Sequence, residues 1–142
     1  MKCVYKIGGM PDTFDVILGT AYSVTNDASL YITTITDFSA GDTLKIVAST
    51  SSSAAYINGT SLVSAANPST LKGALDAALL GSTVVTGATV WFSYCGNTYV
   101  VNEQGTDGLT TDDVIVKLVG AHTLSADAVS STTPATGLFG QA

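Results

Sequence analysis

The most regular alternation of apolar and polar positions in the chain lies between Trp91 and Leu118. Trp91, Ser93 and Cys95 alternate with Phe92 and Tyr94, and Thr98 to Val101 continues as a β-branched and aromatic run. A period of two predicts strands on both sides. Gly96-Asn97 stands between them and supplies the positive φ values of a tight turn, so a hairpin with Gly-Asn at its tip is expected. Val114 to Leu118 alternates again and is expected to pair beside the hairpin. The intervening Asn102 to Asp113 gathers Glu103, Asp107, Asp112 and Asp113 with two glycines. Its polarity predicts an unburied segment, either an ordinary solvated loop or a cation-binding loop with Asp107, Asp112 and Asp113 as ligands.

Shorter strands are predicted at Thr13 to Leu18, Leu30 to Ile35 and Thr43 to Ala48, followed by a polar bridge from Ser49 to Ala54. Ala55 to Ile57 and Ser61 to Val63 read as a small hairpin around Asn58-Gly59. One helix stands out, Pro68 to Leu80, with Asn67 as N-cap, Pro68 at the first helical position and Gly81 closing it. Leu71, Ala74, Leu75, Ala78 and Leu79 then share one face, which is expected to cover a sheet. The fold class expected is mainly β, a sandwich or β-roll-like stack of short strands with one covering α-helix, in a single domain over 1–142.

Composition narrows the function. Only 11% of the 142 residues are charged, the five cations are all scattered lysines, and the net charge is −6. Phosphate recognition needs clustered cations, so nucleic acid is not an expected partner. No run approaches the roughly eighteen apolar residues of a membrane helix, and membrane insertion is not expected. Met1 to Gly9 has two lysines but neither the apolar core nor the small-residue cleavage site of a secretory signal. Cys3 and Cys95 permit one disulfide, but they lie far apart, and a buried free thiol is the expectation. His122 is the only histidine, which excludes a histidine-rich zinc site, and it reads as a surface or half-buried turn residue. No phosphate loop, dinucleotide fingerprint or catalytic triad is marked, and the chain is not expected to be an enzyme.

What remains is cation chemistry. Asp37 and Asp42 bracket a turn containing Gly41, and carboxylates at that spacing, with carbonyls exposed by the turn, supply oxygen ligands for calcium. The same residues equally make an Asp-rich β-turn, with Asp37 and Asp42 capping strand ends through side-chain to backbone bonds.

The string Ile35 to Ile46, ITDFSAGDTLKI, resembles the ITDFxxGDxLxI element that follows the glycine-rich nonapeptide repeats of RTX proteins, calcium-binding proteins exported by bacterial type I secretion. Gly8 to Phe14 resembles the GGxGxDTF end of such a repeat, with one residue missing and Pro11 where glycine is expected. Phe92 to Val101, Asp113 to Gly120 and Leu124-Ser125 resemble the carboxy-terminal region of RTX-type bacterial surface-layer proteins, which usually have glycine where Cys95 stands.

The resemblance implies an RTX-like element over 1–48, a surface-layer-like hairpin and strand over 90–125, and a secretion-signal-like tail over 126–142, with the helix read from its own caps and spacing at 67–81 between them. It implies calcium as cofactor, with Asp37 and Asp42 as ligands and Asp12 as a weaker one. It further implies an extracellular, secreted protein that self-assembles with calcium into a surface layer or filament. Expected partners are copies of the chain and a cell-surface polysaccharide. The alternative is the carboxy-terminal export and folding module of a larger RTX enzyme or adhesin.

Overall fold

The computed structural model describes residues 2–4, 13–17, 30–39, 42–47, 56–81, 87–104, 108–130 and 136–141. These contain ten strands and two helices. β1 (Lys2–Val4) pairs in parallel with β3 (Ile32–Ile35), Lys2 opposite Thr33 and Val4 opposite Ile35. β2 (Thr13–Ile17) pairs in parallel with β4 (Thr43–Val47), but in a second sheet. From β1 to β4, consecutive strands therefore alternate between the sheets, with β1 parallel to β3 and β2 parallel to β4. Parallel neighbours need a crossover connection, and here the strand of the opposite sheet supplies it. The result is two turns of a parallel β-roll.

The rest of the chain extends both sheets. β5 (Tyr56–Asn58), β6 (Thr89–Tyr94), β7 (Asn97–Asn102) and β8 (Val114–Leu118) complete a six-stranded sheet in the order β1-β3-β8-β7-β6-β5. β9 (Leu124–Ser130) and β10 (Thr136–Gln141) complete a four-stranded sheet in the order β2-β4-β10-β9. The fold is mainly β and sandwich-like, as expected, with a helical layer on the outer face of the larger sheet.

That larger sheet is buried on both faces, and its alternation is divided between two cores. Val90, Phe92, Tyr99, Val101 and Ile115 meet the helices α1 (Thr60–Ala66) and α2 (Leu71–Leu79) through Val63, Ala74, Leu75, Ala78 and Leu79. Ile35, Val100, Val114, Val116 and Leu118 meet Leu44 and Ile46 of the smaller sheet, with Phe38 and Leu124 beside them. Val100 and Val101 are both fully buried because they face different cores. Strands enclosed on both sides read as continuous apolar runs, and each such side chain contributes about 1.5–3 kcal/mol. Phe92 and Tyr99, opposite one another across β6 and β7, stack with ring centroids 5.6 Å apart.

Three expectations are corrected. First, the hairpin turns one residue early. Tyr94 pairs with Asn97, so the tip is Cys95-Gly96, with φ of 48° and 79°. Positive φ at both central positions is the type I′ signature, and Cys95 occupies a position that asparagine or glycine would hold with less strain. Asn97 belongs to β7, where its Oδ1 accepts from the Gly120 N–H at 3.0 Å.

Second, Ser61 to Val63 is helix, and two helices rather than one cover the sheet. Asn58 Oδ1 accepts from the Thr60 N–H at 3.1 Å, and the Gly59 carbonyl accepts from the Val63 N–H at 3.0 Å. Asn-Gly thus opens a helix here instead of a hairpin: Gly59 is the N-cap, and Asn58 before it makes an Asx-turn bond to the first helical residue.

Third, the predicted helix begins later. Asn67 ends α1 in the left-handed conformation, and Pro68 marks that stop. Thr70 is the N-cap of α2, its Oγ1 accepting from the Gly73 N–H at 3.0 Å. The expected apolar face is the buried one, with Leu71 partly buried against it.

Gly59 seats the β5–α1 junction against β6. Its N–H donates to the Trp91 carbonyl at 2.7 Å, and a Cβ there would lie 2.6 Å from Val90 Cγ1. Gly59→Ala is expected to destabilise the protein by about 1–3 kcal/mol through overpacking. Chemical denaturation checks this, and a variant as stable as the parent would contradict the close approach.

Candidate functional site

The chain passes from the larger sheet to the smaller at the corner between β3 and β4, where the ITDF-GD string falls. Phe38 is buried between the sheets. Asp42 is buried and turns back on Ser39: its Oδ2 accepts from the Ser39 N–H at 2.8 Å and from the Ser39 hydroxyl at 3.1 Å. Its own N–H donates to the Ser39 carbonyl at 3.0 Å. These bonds are those of the turn-capping reading. Asp37 is half-buried on the same corner.

The same device recurs before β8. Asp113 Oδ2 accepts from the Thr110 N–H at 2.7 Å, and the Asp113 N–H donates to the Thr110 carbonyl at 3.3 Å. Asp113 Oδ1 also accepts from the Gln104 N–H at 2.9 Å. One carboxylate therefore joins the start and the end of the acidic segment. Asp112, next to it, is exposed.

The expectation that this segment is unburied is corrected at its two ends, while Thr111 and Asp112 are exposed as expected. Asn102, Glu103, Gln104 and Asp113 are all at most 4% exposed. The reason lies in the backbone. The Glu103 N–H donates to the Ala88 carbonyl at 2.9 Å and the Glu103 carbonyl accepts from the Gly87 N–H at 2.6 Å, so pairing continues past the end of β7. Asn102 Nδ2 donates to the Gly87 and Ala88 carbonyls and to Thr89 Oγ1, and Gln104 Nε2 bonds Asn102 Oδ1. Polar side chains can be enclosed here because these partners replace water.

Glu103, not among the expected ligands, is the chemically distinctive group. It is fully buried, and its carboxyl acts on that of Asp113. Two carboxyl groups enclosed side by side disfavour double ionisation. Burial pushes the Asp113 pKa up, opposed in part by the Gln104 and Thr110 hydrogen bonds and by Glu103. Asp113 fastens the loop through its bonds to Gln104 and Thr110.

His122 is half-buried, as expected. Its Nε2 lies 2.9 Å from the Val119 carbonyl, and its ring meets Phe38 edge-on at 5.6 Å. The His122 N–H donates to Thr98 Oγ1 at 2.8 Å, tying the β8–β9 connection to β7. Cys95 is a free thiol but stands exposed at the hairpin tip rather than buried.

The described members of the expected calcium set divide between two turns, Asp37 and Asp42 on one, Asp112 and Asp113 on the other. Asp12 and Asp107 lie outside the described residues. Among the described residues no three aspartate, glutamate, histidine or cysteine side chains stand together as a group that could hold a metal ion. No described helix is long and apolar enough to cross a membrane. No protein-family model matches the chain, and no curated protein matches it significantly.

The acid pair yields a pH dependence. A carboxyl whose pKa is raised on folding binds its proton more tightly in the native state, so stability falls as pH rises through the window between the unfolded and folded values. Stability is therefore expected to decline above about pH 4. Glu103→Gln should flatten that decline, since it leaves one titrating carboxyl in place of two. Urea midpoints measured across pH check this, and an unchanged slope would contradict the pairing.

Proposed function

We propose that the chain is a secreted structural protein that assembles with copies of itself into a surface layer or filament. The observation that carries this reading is the direction of the edge strands. In the larger sheet β1 and β5 lie at opposite edges and run the same way; in the smaller sheet β2 and β9 do. A copy displaced by translation can therefore add in parallel to either sheet. Such a head-to-tail contact repeats without closing.

The edge sequences KCV, YIN, TFDVI and LSADAVS contain one lysine and no proline, the residues that commonly block edge pairing. The two-turn parallel roll over β1–β4, with the ITDF-GD string at its corner, supports the likeness to RTX proteins. The β6–β8 meander spans the surface-layer-like segments. Secretion by the type I route rests on that likeness. The tail expected to carry the export signal, 126–142, coincides with most of β9 and with β10, which lies between β4 and β9. Export is therefore better probed by fusing the tail to a carrier than by deleting it.

Calcium acts in this proposal between copies. It offsets the net charge of −6 and bridges carboxylates such as Asp37 and Asp112 at the contacts, while Asp42 and Asp113 serve as internal fasteners.

With excess calcium, electron microscopy and sedimentation are expected to show ordered polymers that chelator dissolves. Asp37→Ala and Asp112→Ala should raise the calcium needed. Asp42→Ala and Asp113→Ala should instead lower folding stability by about 1.5–3 kcal/mol, the contribution of charged hydrogen bonds. A chain that stays monomeric at high concentration in excess calcium would overturn the proposal.

A further inference from the structure

The corner between α1 and α2 stands beside the tip of the β6–β7 hairpin and leaves a cleft of about 450 Å³. That volume falls within the roughly 300–1,000 Å³ of small-molecule sites. Its lining includes Tyr94 and Pro68, which carry rings, and Ser64, Asn67, Ser69 and Ser93, which carry hydroxyl and amide groups. No lining residue is charged.

The frame around the cleft is built. Tyr94 packs partly into the helix-side core and meets Tyr99 at 6.4 Å, and Tyr99 in turn stacks on Phe92. The Ser93 N–H donates to Thr60 Oγ1 at 3.3 Å, which ties the end of β6 to the start of α1. Asn67 ends α1 through its backbone N–H, bonded to the Ser64 and Val63 carbonyls.

We infer that this cleft binds a neutral saccharide unit. Hydroxyl and amide groups both donate and accept, which matches a ligand whose own groups are hydroxyls. A ring wall offers contact to the apolar C–H face of a sugar, as a pocket with ring walls and a few polar groups does for small ligands generally. An uncharged lining offers no counter-charge to a phosphate, carboxylate or ammonium group, each of which would lose hydration on entry. The inference gives residues to the polysaccharide partner expected of a surface protein. It does not rest on self-assembly, because binding is read on the monomer.

The test is an amide NMR titration of the calcium-free monomer with methyl glycosides of neutral hexoses and of N-acetylglucosamine, and with glucuronate as the charged control. At least one neutral glycoside is expected to shift resonances at Ser64, Asn67 to Ser69 and Ser93 to Cys95, with glucuronate weaker. Tyr94→Ala should weaken binding about tenfold, equivalent to about 1.4 kcal/mol, and Tyr94→Phe should retain it. Ser69→Trp, at an exposed position, should fill the cleft and abolish binding without disturbing the core. The absence of shifts with every neutral glycoside at millimolar concentration would overturn the inference. So would shifts elsewhere on the molecule, or wild-type affinity in the Ser69→Trp variant.

Discussion

The structure depends on the parallel pairing of β8 with β3. Ile115 lies opposite Ile32 and Leu118 opposite Ile35, and this seam joins the roll of β1–β4 to the antiparallel meander of β6–β8. β8 also serves both cores at once, sending Ile115 to the helix side and Val114, Val116 and Leu118 to the side of the smaller sheet. Separating β8 from β3 would open both cores together. The two buried aspartates act at this level. Asp113 fixes the turn that launches β8, and Asp42 fixes the turn that launches β4, each by accepting backbone N–H groups from residues upstream. Charge-assisted bonds of this kind are among the stronger local contacts, and here they set where a strand begins.

How much of this was legible in the sequence follows from the range of the interactions involved. β6, β7 and β8 are marked by a period of two that each strand carries by itself, and the buried face of α2 by its helical spacing. The roll is different. Nothing in Lys2 to Val4 names Ile32 to Ile35 as a parallel neighbour, because such pairing is decided by the packing of distant segments. Asn58-Gly59 and Asn67-Pro68 were ambiguous for a local reason: asparagine suits turns, helix starts and left-handed helix ends alike. Register at the hairpin tip was decided by Asn97, whose bond to Gly120 holds it in β7 and moves the turn onto Cys95-Gly96.

The candidate site shows the same division. Composition alone made Asn102 to Asp113 look unburied, yet Thr98 to Val101 gave a signal in the other direction: an extended run whose backbone pairing does not have to stop where its side chains become polar. Glu103 is buried because that pairing continues, and its enclosure beside Asp113 follows. For Asp42 the sequence left two roles open, and the bonds to Ser39 are those of the turn-capping one. The sparse charge of the chain has its structural counterpart in short, largely uncharged edge strands and an uncharged cleft. Recognition by such a surface must proceed through backbone hydrogen bonds, hydroxyls and ring contacts more than through ion pairs.

The claim that one seam unites the roll and the meander is tested most directly by native-state hydrogen exchange. Amides of Ile32–Ile35 and Val114–Leu118 are predicted to exchange only through global unfolding, at the same opening free energy as Val100 and Val101. β3 exchanging through a separate, lower-energy opening while β8 stayed protected would show that the two halves fold independently, and would contradict the account.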